Sequence, residues 1–195
     1  VSFYLLRDWD KIIAKVDGWL PRNIAPSIRI ITGDIDSTIA GFVRGQGTVC
    51  LLLAVFYGVG LTSIGLDFGL ILGIVTGLIS FIPYFGMLIG MAATLAIVIF
   101  QYGEFIQVAL VLVVFGIGQV IESMFLTPKL VGEKVGLHPV WVIFALMVGG
   151  AAFGFTGLLL AVPVAATIGV LVRFALTQYL ESDLYSGFSD RDGSL

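Results

Sequence analysis

Between Gly45 and Val172 the chain carries only six formal charges: Asp67, Glu104, Glu122, Lys129, Glu133 and Lys134. A water-soluble domain of that size could not cover its surface with so few. The sequence is 58% hydrophobic and 12% charged, about half the charged fraction of an ordinary soluble domain, with a mean hydropathy of +1.08. It reads as an all-α, polytopic helical membrane protein. The net charge of −3 comes from the tail, where Glu181, Asp183, Asp190 and Asp192 outweigh Arg191. There is no basic face for nucleic acid. Cys50 lies in an apolar span, has no internal partner and reads as a small apolar packing residue.

The opening Val1-Ser2-Phe3-Tyr4-Leu5-Leu6 reads as the end of a membrane span already under way. Residues 1–7 are therefore expected to close such a span, and the chain to be the C-terminal part of a longer protein. Residues 8–44 form two amphipathic, interfacial helices. The first sets Ile12, Ile13, Val16, Trp19 and Leu20 against Asp10, Lys11, Lys15 and Asp17. The second follows Pro26, with Ser27 as its cap. A small soluble helical hairpin is the plainer alternative, but nothing else soluble exists for it to pack on.

Membrane sequence follows over 45–176. A span needs about 20 residues, which gives six segments: 47–64, 66–82, 84–102, 105–126, 138–153 and 155–176. The second and fifth are short enough to be broken or re-entrant. If all six cross, Arg44, Lys129, Lys134 and Arg173 fall on one side with the bases of 7–29, and the opposite side receives only Asp67 and Glu104. That places the basic side in the cytoplasm, together with an acidic tail at 177–195.

Small residues recur every four positions at Gly69, Gly73 and Gly77, and at Gly157, Ala161, Ala165 and Gly169. Such rows let helix backbones approach closely in lipid. Static packing is the plainer role, and sliding of helices the sharper one. Helical order breaks at Pro83 and Gly86, within an unusually apolar turn. It breaks again at Thr127-Pro128, at His138-Pro139 and at Pro163, where a backbone carbonyl loses its donor. With Gly149 and Gly150, these are the candidate hinges.

The stretch from Gln119 to Pro139 holds Glu122 inside a helix, a polar loop with Lys129, Glu133 and Lys134, and the single histidine, His138. Gln119, Glu122 and Ser123 share one helical face, and a carboxylate between membrane segments is a candidate functional group. The plainer reading is a carboxylate reaching for the interface or pairing with Lys129. His138 beside Pro139 reads either as a proton carrier or as a residue that starts a helix. One histidine without a second His or Cys gives no metal site, and no cofactor is indicated.

Four stretches, Phe42-Val43-Arg44-Gly45-Gln46, Phe81-Ile82-Pro83-Tyr84-Phe85-Gly86, Glu122 to Pro139, and Gly149-Gly150 through Gly157 to Leu160-Ala161-Val162-Pro163, resemble the autoinducer-2 exporter family, also described as PerM-like permeases. The resemblance runs in the family's order along nearly the whole chain. It implies a secondary transporter in the cytoplasmic (inner) membrane of a bacterium or archaeon, and a homo-oligomer in the lipid bilayer. The implied cargo is a small polar solute such as autoinducer-2, with sodium (lithium)/proton antiport as the alternative. An intramembrane enzyme is disfavoured because paired aspartates, a serine–base pair and a His-Glu-x-x-His pattern are all missing. A non-transporting scaffold is the rival from another class.

Overall fold

The computed structural model describes residues 7–22, 24–132, 136–180 and 182. The expected span end at 1–6, Glu133 and Lys134, and residues 181 and 183–195 of the acidic tail lie outside the described residues. Those that are described contain helices and no strand. The chain divides into two compact units, Thr38–Gly169 and the combination of Val1–Ser37 with Val170–Leu195.

The second of these begins with α1 (Trp9–Gly18). Its Asp17 accepts two hydrogen bonds of 2.8 Å from the Arg29 guanidinium. That contact holds the Asp17 carboxyl below its usual range. The ionised carboxylate therefore favours the pairing at neutral pH, and the contribution disappears as pH falls through the lowered value. Lys15 lies 5.7 Å from the centre of the Trp19 ring, and Trp9, Ile13 and Trp19 are exposed.

The next helix, α2, runs without interruption from Ala25 to Ser63. This corrects the expectation of a separate amphipathic helix that begins after Pro26 and stops before the membrane sequence. Pro26 sits in the first helical turn, where its missing N–H has no helical partner to lose. Arg44 changes the composition of the helix but not its backbone: the guanidinium turns back to the Ala40 carbonyl at 3.1 Å.

Within Thr38–Gly169, α2 is the axis on which the other helices pack. One stripe of it, Phe42, Val49, Leu53, Tyr57 and Leu61, is almost wholly buried, while Leu51, Val55 and Val59 on other faces are exposed. An exposed apolar surface of that kind is stable in hydrocarbon rather than in water. Helix α3 (Gly69–Ile79) runs antiparallel along α2, and its glycine row is the reason it can. A Cβ on Gly69 would fall on the backbone of Leu61 and Thr62, one on Gly73 on the backbone of Gly58, and one on Gly77 on Ala54.

Helix α4 (Phe85–Gln101) folds back on α3, with Gly86 against Ser80 and Gly90 against Thr76. The open end of this pair is tied by the Tyr102 hydroxyl, which donates to the Gly65 carbonyl at 3.0 Å. The 11 residues of α3 rise about 17 Å, short of the roughly 30 Å hydrocarbon core. The expected second span is thus one arm of a short helical hairpin, whose apolar tip spans Phe81–Tyr84.

Helix α5 (Phe105–Ile121) returns along α2. Gly118 leaves room for the Tyr57 ring, which stacks on Phe115 at 4.8 Å. Beyond Ile121 the chain does not exit into a loop at Thr127-Pro128, as the sequence suggested. It continues as two widened, π-helical turns, Glu122–Leu126 and Pro128–Gly132, so Lys129 belongs to a helical segment. Close packing persists there, since Gly45 of α2 lies against the Leu130 carbonyl.

The last helix, α6 (Pro139–Leu180), is broken at Gly154 (φ 59°, ψ −137°), a conformation open in practice only to glycine. The chain reverses there, because Gly149 meets Gly157 and Ala161. The expected fifth and sixth segments therefore form a second helical hairpin with arms 139–153 and 155–180. A returning hairpin agrees with the topology drawn from the basic residues and yields a direct expectation. After Cys50→Ala, cysteines placed beside Asp67 and Glu104 should react with an impermeant thiol reagent from outside, whereas ones at Lys134 and Ser186 should stay protected. Outside labelling at Ser186 but not at Lys134 would overturn this topology.

Candidate functional site: a cavity at Glu122

Four elements of the Thr38–Gly169 unit meet around a cavity of about 360 Å³. Helix α2 contributes Phe42 and Gln46, and the tip of the first hairpin contributes Pro83 and Tyr84. The end of α5 and its π-helical turns supply Gln119, Glu122, Ser123, Thr127 and Pro128. Pro139, Val142 and Val162 of the second hairpin complete the wall. That volume falls within the range of small-molecule sites.

The hairpin tip is held in place by Gln46. Its buried amide donates from Nε2 to the Ser80 carbonyl at 2.7 Å, satisfying a carbonyl at the end of α3. The Ser80 hydroxyl in turn donates to the Thr76 carbonyl at 2.9 Å. Phe42 meets Phe81 edge-to-face, with ring centres 6.0 Å apart, and Ile82 packs with Leu146 and Ala161 of the second hairpin. Tyr84 adopts a left-handed backbone (φ 70°), which costs a non-glycine residue about 1–2 kcal/mol. Strain of that kind persists only where surrounding contacts over-determine it.

Glu122 sits where the α-helical ladder widens. Its N–H reaches the Gly118 and Gln119 carbonyls, and its own carbonyl accepts from Thr127 five residues on. The next donor in that π register would be Pro128, which has no N–H, so the Ser123 carbonyl lacks the partner its position would otherwise have. The Ser123 hydroxyl donates to the Gln119 carbonyl at 2.7 Å. The half-buried Glu122 carboxylate has no ion pair or hydrogen bond among the described residues. A carboxylate so placed needs a proton, a cation or a hydrogen-bond donor as its counterpart.

The three polar residues predicted on one face, Gln119, Glu122 and Ser123, do line one cavity, as do Pro83, Pro128 and Pro139. His138 does not. It is exposed at the start of α6, where its Nδ1 accepts from the Val140 N–H at 3.4 Å, the geometry of a helix-start residue. Gly86 lies beneath the hairpin tip against Ser80, and Gly149 and Gly150 lie in the contact between the arms of the second hairpin. Pro163 stands one residue beyond the lining Val162, and its own carbonyl accepts the Thr167 hydroxyl at 2.9 Å.

Sequence reasoning missed the roles of Gln46 and Tyr57. Gln46 appeared only within a recognised stretch, although an uncharged amide in an apolar helix was itself a signal. Tyr57 is fully buried, and its hydroxyl has no hydrogen-bond partner among the described residues. Its ring lies against Gly118, one turn before Glu122. No three of His, Cys, Asp and Glu converge among the described residues.

A family model described as AI-2E family transporter matches residues 1–177. Among curated proteins, the candidate transport protein YrrI of Bacillus subtilis is 34% identical over 170 residues, covering 87% of this chain and 48% of the relative. The candidate transport protein YueF of the same organism is 30% identical over 168 residues, covering 86% of this chain and 45% of the relative. The candidate permease PerM of Escherichia coli K12 is 26% identical over 171 residues, covering 88% and 48%. The chain thus spans about half the length of these relatives. No solved structure matches it.

Proposed function

Because the chain belongs to the AI-2E transporter family, and is a multi-pass helical membrane protein, we propose that it takes part in secondary transport of a small polar solute through the cavity at Glu122. The carrying observation is the Glu122 carboxylate, unpaired among the described residues, in the lining of a solute-sized cavity between two helical hairpins. Autoinducer-2 is the first solute to test, given the name of the family. Glu122 is the proposed exchange group, with Gln119 and Ser123 beside it. His138 is retained at the rim as a residue whose replacement should affect proton exchange less than that of Glu122.

Two features support a moving site. The Gln46 amide ties the hairpin tip to α2 through the Ser80 carbonyl, and the tip holds a strained Tyr84. Pro83, Gly86, Pro128, Pro139, Gly149, Gly150 and Pro163 are the proposed hinges: the prolines lack a helical N–H, and the three glycines lie in close helix contacts. The proposed location is the cytoplasmic membrane of a bacterium or archaeon, with copies of the chain associated through their exposed apolar faces.

Sodium (lithium)/proton exchange is the second reading. The freed Ser123 carbonyl beside Glu122 favours it, since oxygen ligands suit hard cations. The test is a flux screen with purified full-length protein in proteoliposomes, offering autoinducer-2, sodium, lithium and a proton gradient in turn. Transport of at least one against protein-free vesicles is expected. Vesicles that move none of them would leave a membrane scaffold as the function.

A further inference from the structure

We propose that the Glu122 cavity binds a small organic cation, a protonated amine on an apolar body, in preference to a neutral or anionic solute of the same shape. The proposal rests on the reading of this cavity as the transport site and adds its ligand class.

Charge is the first argument. Among the described residues that line the cavity there is one carboxylate and no lysine, arginine or histidine. Lys129 and His138, although near in sequence, are exposed and stand outside the lining. Among the described lining residues an anion would meet no base to offset its repulsion by Glu122, whereas a cation supplies a counterpart for the carboxylate.

Hydrogen bonding leaves the lining neutral apart from Glu122. The Gln46 amide gives one N–H to Ser80 and the Ser123 hydroxyl donates to Gln119, while the Gln119 amide and the Thr127 and Tyr84 hydroxyls can donate or accept. The N-terminus of α6, ordinarily a place for anions, is occupied by its own first turn. Val140 N–H bonds the His138 ring, Trp141 N–H bonds the His138 carbonyl at 2.9 Å, and Pro139 has no N–H. Neutral groups that can accept, placed around one carboxylate, suit a ligand with N–H donors and a positive charge.

Size and wall chemistry supply the apolar body. The cavity is far larger than a bare alkali ion needs, and Phe42, Val131, Val142 and Val162 would stay poorly hydrated around one. Hydrocarbon attached to the ammonium fills that space, and the Phe42 and Tyr84 rings are compatible with a cation close by.

Three matched probes separate the possibilities: cyclohexylmethylamine, cyclohexylmethanol and cyclohexanecarboxylate share a ring and differ in the charge of the head group. Binding to the full-length protein in lipid nanodiscs would be measured by equilibrium dialysis at pH 7. The amine should bind at least roughly tenfold more tightly than the alcohol, and the carboxylate more weakly than both. Glu122→Gln should bring the amine down to the affinity of the alcohol, while Glu122→Asp keeps the preference and shows that the site remains folded. Val142→Trp, which fills the cavity, should exclude all three.

Equal binding of amine and alcohol, preference for the carboxylate, an amine preference that survives Glu122→Gln, or no binding of any probe would each overturn the proposal. Its failure is distinguishable from failure of the transport reading. Loss of flux in Val142→Trp without amine binding to the parent leaves the transport site standing and removes the ligand class. Amine binding abolished by Val142→Trp with flux unchanged does the reverse.

Discussion

Gly73→Ala is expected to destabilise the membrane domain by roughly 3 kcal/mol or more, and Gly73→Ile to prevent its recovery as folded protein. Both changes would ordinarily favour a helix, since glycine is the poorer helix former by about 1 kcal/mol relative to alanine. Here even one methyl would be driven onto the backbone of Gly58 and Tyr57. Neither α2 nor α3 could give way by turning a side chain aside, so the helices would have to separate. The contact is backbone to backbone, so even alanine is costly there. Gly116 supplies the control: a Cβ there meets nothing within 4 Å, and Gly116→Ala should be neutral or mildly stabilising. The measurement is thermal unfolding of the purified variants in detergent. Equal stability of Gly73→Ala and Gly116→Ala would mean that α2 and α3 are not in close contact.

Much of this architecture was legible because membrane packing is written in residue size. The row Gly69, Gly73 and Gly77 announced a close helix contact without naming its partner, and that partner proved to be the second half of α2. Gln119, Glu122 and Ser123 could be put on one face by spacing alone. Proline positions marked where the helical ladder would fail, and Pro83, Pro128 and Pro139 do stand around the cavity.

What remained hidden depends on contacts distant in sequence or on backbone choices with no local code. The Gln46 bond to Ser80 joins residues 34 positions apart. Pro128 signals an exit from a helix, yet the chain absorbed it by widening into π turns, where the lost hydrogen bond falls beside a cavity. The composition changes at Arg44, yet the helix Ala25–Ser63 runs through it, because a change of side chains does not by itself end a helix. Gly154 is one of 25 glycines, and only its positive φ identifies it as the point where the chain reverses.

The central claim is that Glu122 is the exchange group of a transporter, and it is tested most directly by flux through Glu122→Gln. That change keeps the size of the side chain and much of its hydrogen bonding while removing the charge. A charged group held by hydrogen bonds contributes about 1.5–3 kcal/mol, so flux of the solute identified in the proteoliposome screen should fall by roughly ten- to a hundredfold. Expression, thermal stability and oligomeric state should be unchanged. Glu122→Asp should keep part of the flux with a displaced pH profile, since the carboxylate remains but stands back from the cavity. The decisive measurement is initial flux in proteoliposomes across a series of pH values, parent and Glu122→Gln side by side. The account predicts loss of flux, or flux no longer coupled to the proton gradient, in the variant. A variant that transports like the parent across the whole series would contradict it and reduce Glu122 to an anchor at the membrane interface.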